Sequence, residues 1–357
     1  MLKKLKKDLD KELKSLLSTV EEGFNLKSSK LLYSGIQDFL SRKGKRVRPI
    51  LYALSYQGYT KRRNFSYKKL IHSSLALELL HDFFLIHDDV IDKSDLRRGR
   101  PTLHRFFNSR LKVPAKSEIG PSLSIAAGDI IFALAIDTLF SFEEDLPRKE
   151  KTLALFTKAA ASTGVGEFID VINNVKNIEK ITEKEVLLTY TLKTAKYTFE
   201  GPLVMGATLA GAKKEEINKL SKLGLALGQA FQIQDDLLDV FSSSKKIGKP
   251  VLSDLNESKK TLLVWKTYKN LPANDKRTLK RLLEKDKKTY SDLLEFRKLI
   301  KSAGADKYCL DKTSSLLSKA DSISSELQMK TKYKNALRKL IENLARKTDM
   351  LKKIVIS

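Results

Sequence analysis

The sequence predicts an all-α protein, on three observations. Glycine and proline are scarce, 16 and 8 in 357 residues, so few positions interrupt regular structure. The stretches between them show helical periodicity: Leu2, Leu5, Leu9, Leu13 and Leu16 recur at spacings of three and four. Two acidic clusters of the form DDxxD, Asp88-Asp89-Val90-Ile91-Asp92 and Asp235-Asp236-Leu237-Leu238-Asp239, each close an apolar helical run. The length suffices for a sizeable core, and one all-α domain over residues 1–357 is expected.

The leucine stripe makes the N-terminal segment an amphipathic helix with a Lys-rich outer face, predicted to pack on the body of the protein. Peripheral membrane contact is the alternative reading. Charge throughout Met1 to Leu17 argues against a signal peptide. In Lys43-Gly44-Lys45-Arg46-Val47-Arg48-Pro49, a glycine turn and massed cations precede a proline suited to a first helical turn. That segment is either a phosphate site or a solvated basic loop. Ile71 to His87 reads as an apolar helix with His72, His81 and His87, where core or surface roles are the default. Asn108 to Ser122 reads as a polar surface loop. Ile119 to Phe140, interrupted by Asp129 and Asp137, reads as a buried helix. Gly224 and Gly228, one turn apart, suggest close helix packing below the second cluster. From Trp265 onward the chain reads as helical and basic, with Lys332 to Lys347 a solvated face completing an outer wall.

The net charge is +25, from 68 Lys and Arg against 43 Asp and Glu. It suits nucleic acid, an anionic membrane surface or anionic substrates, and no nucleic-acid motif with interleaved aromatics selects the first. The single cysteine, Cys309, excludes an internal disulfide, fits a reducing cytoplasm and reads as a small buried hydrophobe.

The clusters carry the chemistry. On a helix, residues i and i+4 stack on one face, so three carboxylates repel unless cations sit between them. Oxygen ligands in small number suit Mg²⁺, which also takes phosphate oxygens. A single DDxxD is as readily a solvated helix end. Repetition of the spacing after two apolar runs favours a two-walled diphosphate site.

With Asp95-Leu96-Arg97-Arg98-Gly99-Arg100-Pro101-Thr102-Leu103-His104 after the first cluster, the chain resembles the trans-isoprenyl diphosphate synthases, or polyprenyl synthetases, from about Gly44 to at least Lys260. The resemblance implies a helical bundle with a central cavity, a homodimer and about three Mg²⁺ per site. It implies metal ligation by Asp88, Asp92 and Asp235, with Asp89, Asp236 and Asp239 supporting. It assigns Lys45, Arg48 and His81 to isopentenyl diphosphate, Arg97 to the allylic diphosphate and Arg98 to the homoallylic one. Lys193, Thr194, Gln232, Lys249 and Lys259 fall to the allylic substrate. Lys43 departs from the family, which usually has glycine there.

The implied reaction joins isopentenyl diphosphate head to tail with an allylic diphosphate. Bulky residues at Phe83 and Phe84 imply a C15 to C20 product, with C15 favoured. A terpene cyclase does not account for the second DDxxD with Lys45 and Arg48, a non-catalytic subunit usually lacks some of the aspartates, and a nucleic-acid-binding protein leaves them unexplained.

Overall fold

The computed structural model describes residues 1–23, 29–241, 258–285 and 287–356, with the side chains of 19–23 and 356 left undescribed. Among these residues the chain is helical apart from one two-stranded hairpin, as composition and periodicity predict. It forms two compact units. The first holds Met1–Leu155 and Met205–Ala212, the second Phe156–Val204 and Lys213–Ser357.

In the first unit, α1 (Leu2–Gly23) buries Leu5, Leu9 and Leu13, the middle of its predicted stripe. Full burial of a leucine contributes about 1.5–3 kcal/mol, so this apolar face is used in packing on protein. Its acidic residues fix the register: Asp8 accepts from Tyr67 at 2.8 Å, Asp10 from Arg46 at 2.9 Å, and Glu12 lies 2.9 Å from His72. Next come α2 (Ser29–Leu40), α3 (Val47–Tyr59), α4 (Tyr67–Ser74) and α5 (Ala76–Ile91), the last ending in the first acidic cluster.

Strands β1 (Leu96–Arg97) and β2 (Arg100–Pro101) pair through a two-residue turn. Arg98 and Gly99 both have positive φ there, 55° and 74°, as a tight hairpin requires. Gly99 and Pro101 mark a turn in the sequence, whereas nothing there marks the two short strands.

Helices α6 (Leu103–Arg110) and α7 (Ile119–Phe140) shorten the loop predicted over 108–122. Asn108 is no loop residue. It is buried, donates to the carbonyls of Ala115 and Ser117, and accepts from Gly120 N–H. Helix α7 is also less enclosed than predicted, since Ile119, Ile125 and Phe140 are exposed.

Helix α8 (Leu146–Val175) passes from the first unit to the second. In the second unit, α9 (Glu183–Tyr190) starts on a reciprocal capping box between Thr182 and Glu185. Residues Thr191–Glu200 then form a wider π-helical segment, continued by α10 (Gly201–Leu209), whose residues from Met205 on belong to the first unit, and followed by α11 (Lys214–Phe241), which carries the second cluster. The predicted close packing at Gly224 and Gly228 is with this π-helical segment. A Cβ at Gly228 would stand 2.3 Å from Ala195 Cα, and one at Gly224 2.5 Å from Glu200 Cα. Helices Leu262–Asn270, Ala273–Glu284, Tyr290–Ser302, Ala305–Ser325 and Thr331–Ile356 complete the unit around a core that includes Ile233, Leu237, Leu262, Phe296, Cys309 and Leu351.

Candidate active site

In the first unit, Asp88 and Asp92 lie one turn apart at the end of α5 and stay half-buried, while Asp89, rotated away from them, is 1% exposed. A carboxylate so buried needs a charged partner. Arg97 supplies it: Nε lies 2.6 Å from Asp89 Oδ1 and Nη2 3.0 Å from Asp88 Oδ2. Burial works against the charge of Arg97, but Asp89 and Asp88 outweigh it and raise its pKa. The hairpin, eight residues downstream, returns this side chain beneath the cluster.

Lys45 is exposed and Arg48 half-buried beside the start of α3. Between them Arg46, buried and at φ 53°, bonds Glu78 at 2.6 Å and Asp10 at 2.9 Å. Arg98 donates to the Lys43 carbonyl at 3.2 Å. Desolvation, and then Arg48, Arg98, Arg97 and Arg46, push the His81 pKa well below the ordinary histidine value. His81 is therefore a neutral imidazole in a cationic field, able to donate to an anion without adding charge. The structure thus brings Arg48, His81, Arg97 and Arg98 into one electrostatic neighbourhood. One turn below Asp88, Phe83 packs on Phe84, Phe132 and His87, with ring centroids 5.0, 5.1 and 4.5 Å away.

The second unit repeats the pattern. Asp235 and Asp239 are half-buried and Asp236 is 3% exposed. Here the buried carboxylate is met by neutral donors: Tyr190 Oη donates to Asp236 Oδ2, and Gln232 Nε2 donates to Oδ1 at 2.9 Å. Gln232 Oε1 accepts from Thr194 at 2.6 Å. Lys193, beside Thr194 in the π-helical segment, places Nζ 2.7 Å from both Glu167 and Asp170 of α8. Gly166 allows that approach, since a Cβ there would lie 2.5 Å from Lys193 N. A pocket of about 80 Å³ is lined by Lys193, Thr194, Gln232, Asp236, Lys259 and Lys260, among others. Lys249 lies outside the described residues.

The polyprenyl synthetase family model matches residues 29–300. The chain belongs to that family. It is similar to the geranylgeranyl diphosphate synthase of Sulfolobus acidocaldarius, 32% identical over 282 residues that cover 78% of each chain. It is also 31% identical to a short chain isoprenyl diphosphate synthase of Methanocaldococcus jannaschii, over 79% of this chain and 77% of the relative. Among solved structures, geranylgeranyl pyrophosphate synthetase from Pyrococcus horikoshii matches with a TM-score of 0.80 at 29% identity, covering 96% of each chain. The Corynebacterium glutamicum geranylgeranyl pyrophosphate synthase, solved with isoprenyl diphosphate and magnesium, matches in fold with a TM-score of 0.89 at 24% identity, over 97% of this chain and 99% of that one. Membership of the polyprenyl synthetases makes the chain a prenyltransferase, and these relatives make it one of the short-chain type.

Several residues of this polyprenyl synthetase site escaped the sequence reading. Tyr190, Glu167, Asp170 and Lys260 have no motif to mark them. Lys347, placed on a solvated face by its neighbours in sequence, instead lies 2.8 Å from Asp235. The helix bearing it is docked on α11, where Gln234 donates to the Leu344 carbonyl and to Thr348. The donor chemistry fits Mg²⁺: each cluster keeps two half-buried carboxylates a turn apart, oxygen only, on a rigid helix.

Proposed function

We propose that this prenyltransferase condenses isopentenyl diphosphate head to tail with an allylic diphosphate, giving a C15 to C20 product. The observation that carries the reading is the recurrence, on two helices, of a DDxxD cluster whose first and last carboxylates stay accessible while the middle one is held inside. Asp88 and Asp92 in one unit, and Asp235 and Asp239 in the other, would hold Mg²⁺, three ions in all by family resemblance. Metal held by these carboxylates would supply Lewis-acid stabilisation of the negative charge on the departing diphosphate.

The chain's own cations add to that effect. Lys193 and Lys259 offer fixed positive charge toward the allylic diphosphate, where it is worth most as the bond breaks. Glu167 and Asp170 hold Lys193 Nζ in place until a stronger anion arrives. Lys45, Arg48, neutral His81 and Arg98 would take the diphosphate of isopentenyl diphosphate, and Arg97 orients Asp88 and Asp89. Of the two product lengths, the names of the relatives favour C20 over the C15 preferred from Phe83 and Phe84.

We further propose a cytoplasmic homodimer. Cys309, the single cysteine, is buried and free, and α8 leaves Val165, Phe168, Val171, Ile172 and Val175 exposed along one apolar face suited to a second copy. The test is incubation with Mg²⁺, isopentenyl diphosphate and dimethylallyl, geranyl or farnesyl diphosphate, with chromatography of the dephosphorylated alcohols. A C20 alcohol and pyrophosphate release are expected. No condensation with any allylic partner defeats the reading.

A further inference from the structure

Tyr190 is 6% exposed at the end of α9, and its hydroxyl does two things at once. It donates to Asp236 Oδ2 and accepts the Leu262 backbone N–H at 2.7 Å. Leu262 opens the helix Leu262–Asn270, whose first turn is otherwise capped by Thr261 accepting from Val264 N–H at 3.3 Å. A helix start has free N–H groups and needs such acceptors. The hydroxyl therefore ties the middle aspartate of the second cluster to the first turn of a helix distant in sequence. The chain of bonds continues on the other side of Asp236 through Gln232 to Thr194, the neighbour of Lys193. Lys259 and Lys260, just before the helix, line the same pocket as Tyr190, Lys193 and Asp236.

We infer that Tyr190 is a positioning residue coupling the occupancy of the second aspartate cluster to the seating of helix Leu262–Asn270, and through it to the placement of Lys259 and Lys260. The inference rests on the proposed diphosphate site. When cation and diphosphate draw on Asp235 and Asp239, α11 and Asp236 with them are held more firmly. The Tyr190 hydroxyl, fixed by Asp236, then holds the Leu262 amide, and the lysines that precede it stay over the pocket. With phenylalanine at 190 the ring still fills its place, but Asp236 loses a donor and Leu262 N–H loses its acceptor.

Trp265, the only tryptophan, lies in the first turn of this helix and reports on its seating. The experiment titrates the full-length protein with MgCl₂ and inorganic pyrophosphate while following Trp265 fluorescence, alongside turnover. Wild type is expected to give a saturable change. Tyr190→Phe should lose at least half of its amplitude and lower kcat by roughly tenfold, the order of one lost hydrogen bond to a charged group, with KM for isopentenyl diphosphate unchanged. A purely structural role would lower Tm and leave the fluorescence response and kcat of the folded variant as in wild type; that result overturns the inference. If Tyr190→Phe does not fold, hydrogen exchange of the Leu262 amide in wild type decides. Slower exchange on adding MgCl₂ and pyrophosphate supports the coupling. Exchange and fluorescence both unmoved, with turnover normal, overturn it and leave the proposed function standing. Absence of turnover in wild type would remove both.

Discussion

The two acidic clusters share a spacing and differ in how the surplus charge is compensated. On α5 the compensating cation is inside: Arg97, with its side chain 9% exposed, holds buried Asp89 and reaches Asp88. On α11 uncharged Tyr190 and Gln232 donate to the buried Asp236, and a cation, Lys347, sits outside on Asp235, whose side chain is 43% exposed. One of the three charges of the first cluster is thus balanced by a buried partner built into the fold. In the second cluster, Lys347 balances one of three charges from a position where a metal ion can displace it. Identical motifs therefore imply different responses to mutation.

The largest effect is expected where the clusters are alike. Asp88→Ala and Asp235→Ala should each lower turnover beyond the roughly 10²- to 10³-fold of one lost transition-state hydrogen bond, with an unchanged circular-dichroism spectrum. Near-normal condensation in either variant would separate that cluster from the chemistry.

The second effect separates them. Arg97→Ala strands Asp89 without its buried countercharge and should cost about 3–5 kcal/mol in urea unfolding. Gln232→Ala removes one of the donors to Asp236 and should cost about 1–3 kcal/mol. Equal losses would show that charge compensation is not what distinguishes the clusters.

A third comparison concerns the rings one turn before each cluster, Phe84 before Asp88 and Phe231 before Asp235. Phe83 and Phe84 stack below the first cluster, whereas Phe231 packs against Phe199, centroids 5.5 Å apart, under Lys347. Phe83→Ala with Phe84→Ala should lengthen the product in excess isopentenyl diphosphate, and Phe231→Ala should leave its length unchanged. A wild-type product beyond C20, or an unchanged distribution in the active double variant, would discard these rings as the floor.

What could be read in advance follows from range. The i, i+4 pairing of Asp88 with Asp92 and of Asp235 with Asp239, the apolar stripe of α1 and the glycine contacts of α11 are local consequences of helical periodicity. Partners across the fold are not. Tyr190 lies 46 residues before Asp236 and Lys347 lies 112 after Asp235. Neither residue type is unusual where it stands. The π-helical widening at Lys193 has no sequence signature, and the hairpin at Arg98-Gly99 uses arginine where turn rules look for asparagine or aspartate. Asn108 was misread because a polar residue in a polar stretch looks solvated, although it is buried and bonds two backbone carbonyls of the following loop and one N–H at the start of α7.

The smallest effect bears most directly on the difference between the clusters. Lys347 Nζ lies 2.8 Å from Asp235 Oδ1, so the ammonium occupies a carboxylate oxygen that a divalent cation needs. A pair this exposed is worth only about 0.2–1 kcal/mol, small enough for a doubly charged ion to displace. Lys347→Gln removes the competing charge and keeps a polar, uncharged side chain one atom shorter. The Mg²⁺ concentration for half-maximal turnover should therefore fall, by at most about fivefold, the factor equivalent to that energy. Salt should shift the Mg²⁺ requirement of the wild type more than that of the variant, because screening weakens the ion pair it competes with. Arg97 offers no such lever, since its loss is expected to appear as unfolding. A Mg²⁺ requirement that rises in Lys347→Gln would mean that the ammonium orients Asp235 for the metal, and both clusters would then be held by fixed cations.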